Sequence, residues 1–549
     1  METRYGYDGQ YTNEYVKPIS QVPVNDTQTI NSPVKSNNES SLFISKDELL
    51  MLLRPRYSRV PEELKLFPCQ IECYNKLISA YQTQYSMLNA SPTRSGKTPT
   101  ILAVCRFLNL IPFIVSPRAT ENDWEAELMK YGFNDYYFIG YEALAGKSLK
   151  LNHNYLVTNG NDYEATPVFK EIVDRGILLI LDEVQYAKNE DTKNNKACHA
   201  LSRAIIGSQR SRICVMSATP YDKIQFSKSI LKLLGLVLYD KMYEYDNTRH
   251  EFIFENHGMH ELIYHSDRID VNKTNEILEE LNNKKNKTTI NNACHRIFTE
   301  VLLPAYVAKI IPSFPTNVHA FNGYFHVEPD SLRRIQDLEK QLTRVTGYDE
   351  KTNTVAEKID FGQVIKVIHE LEHVKTEILI RLTHGFMHRD ANTKMILYVW
   401  HHDTANFLYE QLQMYNPCLI NGKVSIDNRS ESISLFQQPD TQCRLLIANP
   451  TAGGVGLALD DQDGNFPRVT LMIPMYHFNV MTQALARTRG MLTKSDSMAY
   501  IIYAQMQKLE QTIMDILLKK EAVTRSVVGE DSQIITPGKL PKYEEPTNK

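Results

Sequence analysis

Hydrophobic positions along the chain fall into two groups of short continuous runs, with a long stretch of helical spacing between them. In the first group, Ile111 to Ser116 reads as a strand stopped by Pro117, and Phe138 to Glu142 as a strand edge. Gly176 to Leu181 and Arg212 to Met216 read as strands buried on both faces, because neither alternates with polar residues. Between these runs, Ala119 to Leu128 predicts a helix with Asn122 or Asp123 as its N-cap, and Leu66 to Tyr74 a turn entering an amphipathic helix. The second group holds strands at Lys394 to Val399, Arg444 to Ala448 and Val469 to Ile473. Helices are expected there from about Thr404 to Met414, capped by Asp403, and in a segment ending near Phe436. In the middle stretch, Leu332, Ile335, Leu338 and Leu342 follow helical spacing, as does Val364 through Leu382. The pattern predicts two α/β units joined by helices. Residues 1 to about 42, rich in Asn, Ser, Thr, Gln and Tyr, and the stretch from about Val527, with Pro537, Pro541 and Pro546, predict disordered arms.

At 549 residues the chain exceeds what one core can organise, and its 42% hydrophobic and 23% charged content is that of an ordinary globular protein. A net charge of -4 gives no global footprint for nucleic acid, so such binding has to rest on a local groove. This weighs against a coating protein and not against a motor. The eight cysteines are scattered without paired C-x-x-C knuckles, which favours buried thiols in a reduced intracellular compartment over a disulfide framework or a zinc site. Cys198-His199 and Cys294-His295 have no partners at metal spacing. No secretory leader pattern is expected at the N-terminus, and the longest apolar run, Ile101 to Val115, is broken by Arg106 and Asn109. No membrane partner is expected.

The candidate chemistry centres on Ala90-Ser91-Pro92-Thr93-Arg94-Ser95-Gly96-Lys97-Thr98, which fits a phosphate-binding loop except that Ser91 stands where a first glycine is usual. In such a loop the backbone of Thr93, Arg94 and Ser95 cradles phosphate and Gly96 permits close approach. Lys97 reaches the β- and γ-phosphates, the Thr98 hydroxyl ligates Mg²⁺, and the following helix aims its amides at the anion. Gln70 carries an amide able to read an adenine edge; a solvent-facing glutamine at a helix start is the plainer reading. Asp182 and Glu183 follow a buried strand, where an ATPase needs one acid to hold Mg²⁺ and one to polarise water; a solvated acidic turn is the plainer reading. Ser217-Ala218-Thr219 places small hydroxyls where they can bond to that acidic pair. Further on, Gly453, Gly454 and Gly456 permit close backbone approach to phosphate, and Gln483, Arg487 and Arg489 supply an amide and two candidate arginine fingers. On a continuous helix, Gln483 and Arg487 share a face.

In order, these motifs resemble superfamily-two helicases and, more narrowly, the Swi/Snf-type DNA-dependent ATPases. The narrower likeness rests on Pro68-Cys69-Gln70, on Ser116-Pro117 with Asp123-Trp124-Glu125, and on Tyr141-Glu142. It rests also on Asp182-Glu183-Val184-Gln185-Tyr186-Ala187-Lys188-Asn189 and on Ala452-Gly453-Gly454-Val455-Gly456. The chain departs from the family at Ser91, at Ser217-Ala218-Thr219, which helicases proper carry, and in having arginines four and six residues after Gln483 rather than four and seven. The resemblance implies an α/β fold of two RecA-like parallel-sheet lobes with a helical insertion. The expected divisions are an arm at 1–45, a first lobe at 46–235, an insertion and hinge at 236–385, a second lobe at 386–525 and a tail at 526–549. It implies ATP and Mg²⁺ in the cleft, with duplex or single-stranded DNA across both lobes. The activity implied is that of a DNA translocase or helicase, with an RNA helicase, or a catalytically weak DNA clamp in a transcription or replication complex, as alternatives. The Asn-rich composition also resembles helicase-like ATPases of large cytoplasmic DNA viruses, which implies a nuclear or cytoplasmic location, or a virus factory or virion.

Overall fold

A computed structural model describes residues 65–146, 153–283, 286–346, 361–422, 424, 426–453, 457–504, 508–529 and 535. The expected N-terminal arm and nearly all of the expected tail lie outside the described residues. Two six-stranded parallel sheets organise the rest. The first contains Ser86–Asn89 (β1), Ile111–Ser116 (β2), Tyr137–Gly140 (β3), Ile177–Asp182 (β4), Arg212–Met216 (β5) and Val307–Ala308 (β6), in the order β6-β1-β5-β4-β2-β3. Every residue of β4 is buried, as its unbroken apolar run requires of a strand with helices on both faces. Successive residues feed opposite cores. Leu179 and Leu181 join Phe113 and Val115 on one face, while Leu178 and Ile180 join Ile114 and Trp124 on the other.

Phe113 is packed by the rings of Tyr137, Tyr155 and Phe169 at centroid distances of 5.4, 5.2 and 5.3 Å. Truncating it leaves a cavity that those rings cannot close, so Phe113→Ala is expected to destabilise the first lobe by about 3–5 kcal/mol in urea unfolding.

The second sheet contains Val318–Phe325 (β7), Lys394–Tyr398 (β8), Cys418–Ile420 (β9), Leu445–Ala448 (β10), Arg468–Met472 (β11) and Ser497–Ala504 (β12), in the order β7-β12-β11-β8-β10-β9. Both sheets therefore draw a strand from the stretch expected to be a helical insertion and hinge at 236–385. The helices at Gly258–Asn283 and Lys287–Arg296 also pack into the first lobe's core through Met259, Leu262 and Ile290. A lobe limit at 235 is thus too early, because β6 completes the first sheet beside β1. A start at 386 for the second lobe is too late, because β7 pairs with β12 along its whole length.

Local limits shift for physical reasons. Thr120, not Asn122 or Asp123, precedes the helix Glu121–Lys130, because a short 3-10 turn at Arg118–Thr120 brings the chain into helical geometry earlier. The helix His402–Gln411 starts after His401, with Asp403 in its first turn instead of at its cap. Tyr141 and Glu142 open a short helix instead of ending a strand. The helix Lys508–Val528 runs past the expected tail boundary: Ile513, Met514 and Leu517 lie in a second-lobe core, whereas Val527 and Val528 lie in the first lobe's. The His199 and His295 imidazoles are engaged by Val237 O and the Tyr221 hydroxyl respectively. Among the described residues no helix is long and apolar enough to cross a membrane.

Candidate nucleotide site between the lobes

The candidate phosphate loop leaves β1 and enters the helix Lys97–Phe107 through Gly96, whose φ of 85° is left-handed. A side chain on Gly96 would collide with the Gln70 amide, its Cβ falling 1.9 Å from Nε2. Gln70 is buried rather than solvent-facing. Its Nε2 donates to the carbonyls of Ser95 at 3.0 Å and Gly96 at 3.3 Å, and its Oε1 accepts the Phe67 N–H at 2.8 Å. Here the expected adenine-reading amide holds the phosphate loop, with both its donor and its acceptor committed to backbone. Ser91 explains its own departure from glycine: its hydroxyl bonds Asn89 and accepts the Ile310 N–H at 2.8 Å, tying the loop to the segment after β6. The Ser95 hydroxyl donates to Pro92 O at 2.7 Å, and Thr100 returns a bond to Gly96 O at 2.9 Å. Lys97 Nζ donates to the carbonyls of Pro92 at 3.0 Å and Ser91 at 3.2 Å, so the cation is folded onto its own loop. Burial holds the Lys97 amine below its ordinary pKa, opposed by Glu183 and Asp182. Thr93 is buried and Thr98 lies one residue into the helix.

Asp182 ends β4 and is held on three sides. Its Oδ2 accepts from the Ser116 hydroxyl and from Trp124 Nε1, both at 3.0 Å, while Oδ1 accepts the Glu183 N–H at 3.0 Å. Burial, with the Glu183 charge next, pushes its carboxyl up to about 6, while Lys97 pulls it down. The donor set fits a magnesium ion, which uses one or two protein oxygens and takes the remainder from water and phosphate. Glu183 adopts φ 51° and ψ 51°, a left-handed conformation that costs a non-glycine residue about 1–2 kcal/mol. Glu183 Oε2 accepts from Gln185 Nε2 at 2.8 Å, and Gln185 Oε1 accepts the Ser217 hydroxyl at 2.6 Å. The Ser217 hydroxyl thus reaches Glu183 through Gln185 and not directly, while the Thr219 hydroxyl is buried without a hydrogen-bond partner among the described residues.

The second lobe meets this carboxylate. Gln483 Nε2 donates to Glu183 Oε2 at 2.9 Å across 300 residues of sequence. Asn479 Nδ2 donates to Thr219 O at 3.2 Å, so the same helix, Phe478–Leu485, also touches the Ser217-Ala218-Thr219 turn. That helix does not continue through Arg487, as a shared face with Gln483 would need. It tightens to a 3-10 turn at Ala486–Thr488, and Arg489 is extended. Arg487 is buried; burial lowers its basicity and the Glu183 charge opposes that, so its guanidinium lies within the field of the acid. Arg489 instead stacks over the Phe314 ring at 4.2 Å, where burial lowers its pKa to about 10. Arg94, also left-handed at φ 66°, reaches the second lobe and pairs with Asp460 at 2.6 Å. Gly454 lies outside the described residues.

Over 473 residues the chain is 27% identical to a protein of Acanthamoeba polyphaga mimivirus named "Putative ATP-dependent RNA helicase", covering 83% of this chain and 82% of that one. By sequence, the chain is similar to this viral protein along most of both lengths. The helicase resemblance read from the ordered motifs agrees with this relative, and the two six-stranded parallel sheets bear out the two-lobed α/β fold. No family model matches the chain. Among solved structures it aligns with the Sulfolobus solfataricus SWI2/SNF2 ATPase core in complex with dsDNA at 14% identity and a TM-score of 0.30, covering 87% of this chain and 96% of that one.

Several residues that shape the cleft carry no assigned role in the sequence reading. Ser116 and Trp124 figured only in the family likeness, yet together they hold Asp182. Asp460 was not singled out; the adjacent acids Asp460-Asp461 after an apolar run were its one signal. Tyr141, whose hydroxyl donates to Asp182 O at 2.7 Å, fixes the end of β4 from behind.

Proposed function

We propose that this chain is a nucleic-acid-dependent ATPase that works as a DNA translocase or helicase, closing its two lobes on ATP and reopening them on hydrolysis so that each cycle shifts its grip on a strand. The observation that carries this reading is the Gln483–Glu183 hydrogen bond, which joins the second lobe to the acid that this reading assigns to polarising water. In this scheme Gln70 and residues 93–96 shape the phosphate loop, Lys97 neutralises the β- and γ-phosphates, and Glu183 orients and activates the attacking water. Arg487 is the arginine finger, since it shares the electrostatic field of Glu183 and Lys97, whereas Arg489 is stacked on Phe314. Thr98 and Asp182 would hold Mg²⁺, which when bound spreads the phosphate charge. Gly454 belongs to the same proposal through its motif alone.

Steady-state hydrolysis with no nucleic acid, duplex DNA, single-stranded DNA and RNA tests the reading, with Lys97→Ala as control. Stimulation by duplex DNA that is lost in the variant supports a translocase. The viral relative's name favours the RNA helicase reading, and stimulation by RNA alone would establish it over DNA. The decayed clamp reading is disfavoured because Lys97, Thr98, Asp182, Glu183, Arg487 and Arg489 are all present. The stimulation should fall as salt rises, as phosphate-backbone binding does.

Asp182 also sets a pH dependence. Its folded pKa of about 6 lies above the ordinary carboxylate value, so the native protein takes up a proton as pH falls through 6 and the ionised form is the disfavoured one. Protonation adds to folding stability but removes the charge that holds Mg²⁺. The Mg²⁺ concentration giving half-maximal ATPase should therefore rise about tenfold per pH unit below 6 and be flat above 7. An unchanged requirement at pH 5 would refute the assignment.

A further inference from the structure

In the phosphate loop, the left-handed residue before Gly96 is Arg94, at φ 66°. That conformation disfavours a long side chain, so an interaction elsewhere has to offset it. The Arg94 guanidinium crosses to the second lobe, where Nη2 meets Asp460 Oδ1 at 2.6 Å. Its Nε is buried with no acceptor among the described residues, so this carboxylate is the partner that fixes it. Asp460 is fully buried, and its other oxygen accepts the Thr493 hydroxyl at 2.9 Å. Thr493 Oγ1 in turn accepts the Gly490 N–H at 2.6 Å. Gly490 directly follows Arg489, and a Cβ built on it would lie 3.2 Å from Arg94 Nη2 and 3.4 Å from Asp460 Oδ2. A continuous path, Arg94–Asp460–Thr493–Gly490, therefore runs from the phosphate loop to the backbone of the arginine segment.

We infer that Arg94 and Asp460 form a positioning pair that sets the register of residues 487–490 against the phosphate loop, with the consequence for hydrolysis resting on the ATPase reading above. The pair acts through the arginine segment. Glycine at position 94 would suit the backbone better, so an arginine kept in left-handed geometry is explained by what its far end holds.

The test compares Arg94→Gly, Arg94→Lys, Asp460→Asn and the Arg94→Gly/Asp460→Asn double variant. Without nucleotide, amide exchange of residues 486–493 should quicken about tenfold or more in each weakened pair, with the double variant no faster than the faster single one, as for coupled groups. In hydrolysis, kcat should fall about tenfold to a hundredfold, with the Kd of a non-hydrolysable ATP analogue unchanged in Asp460→Asn, which lies outside the loop, and Arg94→Lys should recover part of the loss of Arg94→Gly. Unchanged exchange in Arg94→Gly would overturn the pair, whether or not the protein hydrolyses ATP. Additive single effects, or a loss confined to analogue affinity, would overturn it too. A wild-type protein with no hydrolysis, together with quickened exchange in the variants, would sink the ATPase reading and leave the pairing standing.

Discussion

Replacing Glu183 with Gln is expected to lower kcat for ATP hydrolysis by about 10²- to 10⁴-fold, the usual contribution of a positioned general base. The substitution keeps the shape of the site. Both hydrogen bonds to Glu183, from Gln185 and from Gln483, end on Oε2, and a glutamine carbonyl oxygen can receive them. What is removed is the negative charge and the ability to take a proton from water. Affinity for a non-hydrolysable ATP analogue should then hold within about twofold, and thermal stability should be nearly that of the parent. If affinity falls as far as kcat, Glu183 is instead a structural clasp between the lobes. The left-handed backbone at Glu183 supports the catalytic role, since strain of this kind persists where the surroundings fix a side chain for use.

The residues assigned to this chemistry were legible because phosphate loops and acid pairs are local patterns. Residues 93–98 are contiguous, and Asp182-Glu183 follow a strand whose apolar run has no interruption. The strands β2, β4, β5, β8, β10 and β11 were visible for the same reason. β7 was not, because its residues are half-exposed and it includes Asn322 and Gly323 at the sheet edge, which breaks both alternation and continuity. β6 is two residues long and pairs only with β1. The pairings across the cleft were out of reach for a different reason. Glu183 and Gln483 are 300 residues apart, and Arg94 and Asp460 are 366, and no periodicity encodes which side chains meet when two lobes face each other. Gln70 illustrates a middle case: its motif marked it as important, but only the fold shows its amide spent on the carbonyls of Ser95 and Gly96.

The choice between the two arginines has a sharp expected outcome. Arg487→Ala should reduce single-turnover ATP hydrolysis by about 10³- to 10⁵-fold, the effect of withdrawing an arginine finger, while Arg489→Ala should cost at least tenfold less. The Arg487 backbone is anchored by the Leu459 N–H, which donates to its carbonyl at 3.0 Å, so truncating the side chain leaves the turn in place. Its guanidinium is buried near Glu183, Arg94 and Asp123, and the two acids offset the burial that lowers its basicity. A buried cation near those acids is placed to meet charge that develops on a transferred phosphoryl group, where low dielectric makes it most effective. Arg487→Lys should recover little, because an ammonium lacks the planar fork that reaches two oxygens at once. Arg489 stacks on Phe314, a contact that suits holding the segment in place, so its loss should show first as a higher KM and a lower melting temperature. If instead Arg489→Ala proves the more damaging to the single-turnover rate, the segment must rotate on ATP binding far enough to exchange the two guanidiniums. The finger would then be assigned to Arg489, and Arg487 would become the residue that holds Glu183 between turnovers.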